Sequence, residues 1–137
     1  MNQILQDIWV IKEDSGIVLF HRDKAGKFPA EIFGGLMSAI DSFAKNVNEA
    51  GISSFELSNV RFCLKKHNGI LAIANSNSNI DRSKVHLELE KVINQFLQQY
   101  PIEFFKSWDG NIEDFSDFEK DLEEILDSSS SQLLRGF

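Results

Sequence analysis

The residues best suited to chemistry in this chain are one cysteine and three histidines, and their spacing does not bring them together. Cys63 and His67 are the closest pair, four residues apart on a predicted strand. An extended chain rises about 3.3 Å per residue, so these side chains lie about 13 Å apart unless a turn at Lys66 shortens the gap. That distance is too long for a shared metal ion or a nucleophile–base pair. His21 and His86 lack companions at ligand spacing, so we expect no catalysis, no metal and no cofactor.

Two further patterns have analogues among ligand sites, but each fits a structural role better. Gly34-Gly35 lies inside an amphipathic stretch and lacks the Gly-Lys-Ser/Thr of a phosphate loop, so packing against the sheet or a second helix is preferred. The acidic run near the C-terminus lacks the alternating ligand positions and central glycine of a calcium loop. We interpret it as a solvated helix face, with docking of a basic partner as the alternative. The run consists of Asp114, Asp117, Glu119, Asp121, Glu123, Glu124 and Asp127.

The negative charge of the chain is concentrated in one segment. Residues 103–127 hold 10 acidic residues and 2 lysines, a net charge of −8, within a total of −7. The remaining residues carry 12 basic and 11 acidic side chains, a net charge of +1. Nucleic acid is not expected as a partner, because binding to it depends on Lys and Arg side chains that neutralise phosphates.

No targeting or membrane segment is recognisable in the sequence. Met1–Asp7 lacks the basic start of a signal peptide, and no apolar run reaches the roughly 20 residues that span a bilayer. The single cysteine excludes an internal disulfide and suits a reducing compartment. We therefore expect a soluble, cytoplasmic protein without direct membrane insertion.

Five short runs predict the strands of a sheet. Two of them are apolar at consecutive positions, as expected for strands buried on both faces, and the later ones alternate apolar and polar residues. Asp14-Ser15-Gly16 forms a turn between the first two strands, and Asn68-Gly69 is typical of a type I′ turn between the last two. The predicted strands are Ile8–Ile11, Ile17–Phe20, Phe55–Leu57, Val60–Leu64 and Ile70–Ala74.

Helical periodicity predicts three helices around this sheet. The first begins near Pro29 and ends before Gly51, with an apolar stripe expected to face the core. Its stripe consists of Ile32, Phe33, Leu36, Met37, Ile40, Phe43, Ala44 and Val47. The second helix carries apolar residues from Val85 to Tyr100, and the last from Phe115 to Leu126.

The predicted order is β-β-α-β-β-β-α-α, an α/β (α+β) fold. The simplest architecture is a five-stranded antiparallel sheet with one helix on one face and two on the other, which explains why the central strands are apolar throughout. The chain length of 137 residues suits one domain, which we place at residues 1–127. Residues 128–137 are predicted to form a disordered tail, with docking as a short peptide as the alternative.

Three segments together resemble the longin-like domains of the longin/roadblock superfamily. They are Gly16–Phe20, Gly34–Phe43 and an aromatic-rich ending, and the resemblance covers about residues 3–127. The chain is most similar to stand-alone longin-like proteins of archaea. Only about seven residues precede the first strand, which favours longin over roadblock proteins. The ending consists of Phe96, Tyr100, Phe104, Trp108-Asp109-Gly110, Phe115, Phe118, Leu122 and Ile125-Leu126.

The resemblance implies a protein-interaction platform without enzyme activity. Longin-like domains pair as homodimers, or as heterodimers with another longin or roadblock protein, and many contact a small GTPase or a trafficking complex. No heptad segment or membrane anchor follows the predicted domain, so membrane fusion is not expected. The alternative is a PAS- or profilin-like domain that senses a small ligand, which would need an enclosed cavity of about 300 Å³ or more.

Two features are candidate partner-binding surfaces. The first is the predicted edge strand formed by Ile17, Val18, Leu19 and Phe20, because an apolar edge strand without proline invites another chain. The second is a stripe of small residues on the first helix, formed by Gly34, Ser38 and Ser42. A small stripe directed away from the core would favour contact with the helix of a second copy.

Overall fold

A computed structural model describes residues 4–22, 30–49, 51–57 and 60–135. The strands are β1 (Ile8–Lys12), β2 (Val18–Arg22), β3 (Ser54–Leu57), β4 (Val60–His67) and β5 (Ile70–Asn77). The helices are α1 (Ala30–Lys45), α2 (Arg82–Gln99), α3 (Ile102–Lys106) and α4 (Phe118–Arg135), with a 3₁₀ helix over Ile112–Phe115. The order confirms the prediction and adds the short α3. None of the helices in these residues is long and apolar enough to cross a membrane.

The five strands form one antiparallel sheet in the order β2-β1-β5-β4-β3. The consecutive apolar residues of β1 and β5 are explained by their central positions, where helices cover both faces. Asn68 and Gly69 have φ values of 51° and 79°, which confirms the predicted tight turn between β4 and β5. The sheet therefore has two edges, β2 and β3.

Alternating side chains of the sheet contribute to two separate cores. Val10 and Ala72 face the larger core, where α2 and α4 supply rings such as Phe96 and Phe118, 5.1 Å apart between centroids. Trp9 faces the smaller core and packs at a tilt against the ring of Phe33 of α1, with the ring centroids 4.2 Å apart. This division confirms the predicted placement of one helix against two.

Only a narrow part of the apolar stripe of α1 contacts the sheet. Phe33 and Met37 are buried, whereas Ile32, Leu36 and Phe43 are 70%, 53% and 71% exposed. The prediction that the whole stripe faces the core is therefore wrong. A single helix contacts a flat sheet along a narrower strip than this stripe occupies, so the remaining apolar residues lie in solvent.

Helices α1 and α4 end at residues other than those predicted from the sequence. α1 ends at Lys45, because short i→i−3 hydrogen bonds from the amides of Asn46 and Val47 close its last turn. α4 continues through the predicted tail to Arg135, since adding residues to an existing helix costs much less than starting one. The predicted start of α1 near Pro29, and the last residues Gly136 and Phe137, lie outside the described residues.

Candidate functional site

The small residues of α1 contact the hairpin formed by β1 and β2. A methyl group on Gly34 would lie 2.5 Å from Cγ2 of Val18 and 2.6 Å from the carbonyl oxygen of Gly16, so only glycine fits there. The Ser38 hydroxyl donates a hydrogen bond of 3.0 Å to the carbonyl oxygen of Glu13. Gly34 and Ser38, predicted as partner-binding residues, therefore make contacts within the same chain, which corrects the view of this stripe as an outward surface.

A group of charges holds the C-terminal half of α1 against the sheet. The Asp41 carboxylate is 1% exposed and accepts a hydrogen bond of 2.9 Å from Nζ of Lys66 on β4. It also accepts a longer bond of 3.4 Å from the amide of Ile52, and Nζ of Lys45 lies 3.5 Å from its other oxygen. Lys45 forms a further ion pair with Glu13 on the hairpin. These contacts fix the orientation of α1 and therefore the face that it exposes.

Asp41 is expected to stabilise the fold in a pH-dependent way. Burial raises the pKa of its carboxyl, but the hydrogen bond and charge of Lys66, the Ile52 amide and the charge of Lys45 together lower it below the usual 3.8. A lowered pKa in the folded state means that this stabilisation is present above about pH 4 and is lost as the pH falls through the folded-state pKa.

Asp41→Asn is therefore expected to lower the free energy of unfolding at pH 7 by about 2 kcal/mol. Asparagine keeps a hydrogen-bond acceptor but loses both ionic contacts with the lysines. Urea unfolding at several pH values would measure the difference between the variant and the wild type. That difference should shrink as the pH falls below 4, and a constant difference down to pH 2 would contradict the ionic explanation.

The exposed face of α1 lies opposite the side that contacts the hairpin. Successive helical residues turn by 100°, so Leu36 and Phe43 point away from Gly34 and Ser38. Half-buried Ile40 belongs to the same face and packs on the rim of the smaller core. Gly35 and Ala39 are also exposed and place no bulky side chain beside the apolar ones. We define the α1 surface as Ile32, Leu36, Ala39, Ile40, Phe43 and Val47, of which Val47 follows the helix and is 83% exposed.

The predicted edge-strand residues are placed at the sheet edge, in β2 or directly before it. Ile17 is 43% exposed, Val18 is buried in the smaller core and Leu19 in the larger one. The register shifts between Val10 and Ile11, so β2 contains a bulge opposite β1. A bulge makes an edge strand a poorer template for further strands.

The remaining candidate residues are dispersed. Phe20 packs edge-on against Phe118 at 5.3 Å, and Ser42 is exposed beside a groove at the end of the sheet. Cys63 is buried, which raises the pKa of its thiol, whereas His67 at the end of the same strand is exposed. Within the described residues no three Cys, His, Asp or Glu side chains are placed to hold a metal ion.

The acidic run lies on and just before α4, on the other side of the sheet from α1. Glu123 pairs with Arg22 of β2 at 2.6 Å, and its acidic neighbours are mostly exposed. A solvated face explains most of these positions.

The exposure of the α1 surface was not predicted from the sequence. The apolar stripe of α1 has eight positions, which is more than a single helix can bury against a sheet, and this width was the available signal.

Comparison with known proteins identifies the family of this fold. The sequence model described as the first longin domain of FUZ, MON1 and HPS1 matches residues 8–103. Comparison with curated protein sequences gave no match.

Solved structures show the same architecture at low sequence identity. Myxococcus xanthus MglB has a TM-score of 0.56 at 11% identity, over 76% of this chain and 85% of that protein. The Roadblock/LC7 domain from Streptomyces avermitilis has a TM-score of 0.57 at 15% identity, over 70% and 84%. A structure of the mammalian SRP receptor has a TM-score of 0.58 at 12% identity, over 96% and 98%. With its sheet order, its helix placement and a family match over most of its length, the chain belongs to the family of first longin domains of FUZ, MON1 and HPS1.

Proposed function

We propose that this domain is a non-enzymatic, cytoplasmic interaction platform that self-associates through the α1 surface and binds or regulates a small GTPase or a trafficking-type complex. The observation that carries the proposal is the row of exposed apolar side chains on α1, with Ile32 and Phe43 about 70% exposed. Contiguous exposed apolar residues on a soluble protein mark interaction sites more often than inert surface.

A second copy of this chain suits the α1 surface better than a charged partner does. The side chains of the α1 surface are uncharged. Two copies of this chain, each with a net charge of −7, therefore do not bring like charges together when they meet at this surface. Gly35 and Ala39 between the larger side chains let a second helix come close. Burying one large apolar side chain contributes about 1.5–3 kcal/mol, so three or four on each copy are enough to support a stable dimer. A heterodimer with a related longin or roadblock domain would use the same chemistry.

The edge strand β2 remains a proposed second contact. Its outer backbone groups can pair with an extended segment of a partner, and Ile17 is exposed beside it. The bulge in β2 weakens this possibility relative to the α1 surface. The side chains of Val18 and Leu19 are buried in the two cores, so at these two positions only the backbone is available to a partner.

The GTPase part of the proposal rests on membership of the longin family. Pull-downs of the host's small GTPases in GDP-bound, GTP-analogue-bound and nucleotide-free forms would test it. We expect at least one GTPase to bind with a preference for one nucleotide state. If no GTPase bound in any of the three forms, the GTPase part of the proposal would be wrong, and the proposal of self-association would be unaffected.

The small-ligand alternative has less support from the geometry. In the larger core Phe115 packs against Phe96, Tyr100 and Phe104 at ring-centroid distances of 4.8–5.7 Å, which fills the space that a ligand would need. Two grooves of about 510 and 470 Å³ open at the surface and are lined largely by polar and charged side chains. Such open grooves suit protein contacts better than enclosed recognition of a small molecule.

A further inference from the structure

We propose that the segment from Ile102 to Asp117 docks a basic segment of a partner protein that also carries apolar side chains. In this segment, the α3 surface, we call the apolar side chains the centre and the exposed acidic residues the border. The centre is formed by Ile102, Phe104, Phe105, Trp108 and Ile112. The border is formed by Glu103, Asp109, Glu113, Asp114 and Asp117. The proposal does not depend on self-association, because it uses a different surface.

The apolar centre of the α3 surface is held rigidly by one buried ring. Phe115 is fully buried, and Phe104, Phe105 and Trp108 pack around it at centroid distances of 5.7, 5.6 and 5.3 Å. The indole nitrogen of Trp108 donates a hydrogen bond of 3.1 Å to the carbonyl oxygen of Asn111, which fixes the ring. A surface that is already ordered loses little side-chain entropy when it binds.

Exposed aliphatic side chains extend this centre towards a groove. Ile102 and Ile112 are 45% and 50% exposed. Ile102 and Phe105 line a groove of about 470 Å³ at the end of the sheet, with buried Ile70 also lining it. The charges across the groove already pair with one another, as Lys12–Asp14 and Lys45–Glu13, so an apolar side chain can enter between them.

The border determines which kind of partner suits this centre. In the part of the chain described here, none of the five carboxylates forms an ion pair, and all five residues are exposed. Two of them act on Tyr100, whose pKa is raised first by burial and then by the charges of Asp117, of Asp121 on α4 and of Asp114. Lys106 is the only basic residue within the segment. A basic segment is therefore attracted, whereas a second copy of this acidic chain or an anionic membrane is repelled.

Synthetic peptides provide the test on the full-length chain. The probe is a short peptide of alternating leucine and lysine, compared with one in which serine replaces leucine and one in which glutamate replaces lysine. Binding is followed by fluorescence of a dye on the peptide and by the emission of Trp108, with Trp108→Phe to assign that signal. We expect only the leucine–lysine peptide to bind and to shift the Trp108 emission, with affinity that falls as salt rises.

Two matched double variants locate the binding. Glu113→Gln with Asp114→Asn removes two charges from the border, and Glu119→Gln with Glu124→Gln removes two exposed charges from α4. We expect the first variant to weaken binding about fivefold to tenfold and the second to change it less than about twofold. Equal losses, or equally tight binding of the serine–lysine peptide, would overturn the proposal by showing general attraction to an acidic protein. Repeating the titration with Phe43→Glu separates this result from self-association.

Discussion

Replacing Gly34 with alanine is expected to lower the free energy of unfolding by about 2–3 kcal/mol, although alanine is the better helix former. The added methyl group would meet Val18 at 2.5 Å and the backbone of Gly16 at 2.6 Å. A side chain could move away, but a backbone carbonyl in a hairpin cannot do so without shifting the turn. The contact between α1 and the hairpin would have to open, and part of the smaller core with it.

Gly35→Ala is the matched control for this variant. Apart from the adjacent backbone of α1 and the neighbouring residues, no atom lies within 4 Å of a methyl group placed at Gly35, which is exposed one position further along α1. Alanine there should raise the free energy of unfolding by up to about 1 kcal/mol through helix propensity alone. Urea unfolding of both variants in a Phe43→Glu background would exclude effects of association. Equal free energies of unfolding for the two variants would contradict the described packing of α1 against the hairpin.

Phe43→Glu is expected to prevent self-association while leaving the fold intact. The side chain is 71% exposed, so the monomer loses little packing when it is replaced. In a dimer the same position would lose a large apolar contact and gain an unpaired carboxylate at the interface. We expect the dissociation constant to rise by at least about 100-fold, since each 1.4 kcal/mol corresponds to a factor of ten.

Leu87→Glu is the control for Phe43→Glu. Leu87 is 61% exposed on α2, on the opposite side of the sheet from α1. Replacing it with glutamate also adds one negative charge and removes one exposed apolar side chain, as Phe43→Glu does. Sedimentation velocity at several concentrations should show a dimer for this control and a monomer for Phe43→Glu. A dimer in both cases would move the interface away from α1.

The strands could be predicted from the sequence because their signals are local. Consecutive apolar residues in β1 and β5, and the Asn68-Gly69 turn, specify extended chain and its reversal within a few residues. The helical stripe of α1 was harder to interpret, because periodicity shows that a helix is amphipathic without showing how much of the apolar side the sheet can cover. Leu36 and Phe43 therefore looked like core residues and are exposed.

The role of the candidate-site residues could not be predicted from the sequence, because their contacts join parts of the chain that are distant in sequence. The spacing of Gly34 and Ser38 is equally compatible with a hairpin of the same chain and with the helix of a second copy. Only the positions of Gly16, Val18 and Glu13 decide between them. The buried Asp41 gave no signal in the sequence either, since its partner Lys66 lies 25 residues away on β4. Such pairings arise from the folded topology and not from local propensity.

The mass of the wild-type chain in solution tests the central claim most directly. Multi-angle light scattering at about 100 μM, well above the dissociation constant of a stable dimer, would give this value. Self-association through the α1 surface predicts twice the chain mass of 15.6 kDa for the wild type and for Leu87→Glu, and the single chain mass for Phe43→Glu. A wild-type mass of 15.6 kDa at this concentration would contradict the proposal that a second copy of the chain covers the α1 surface.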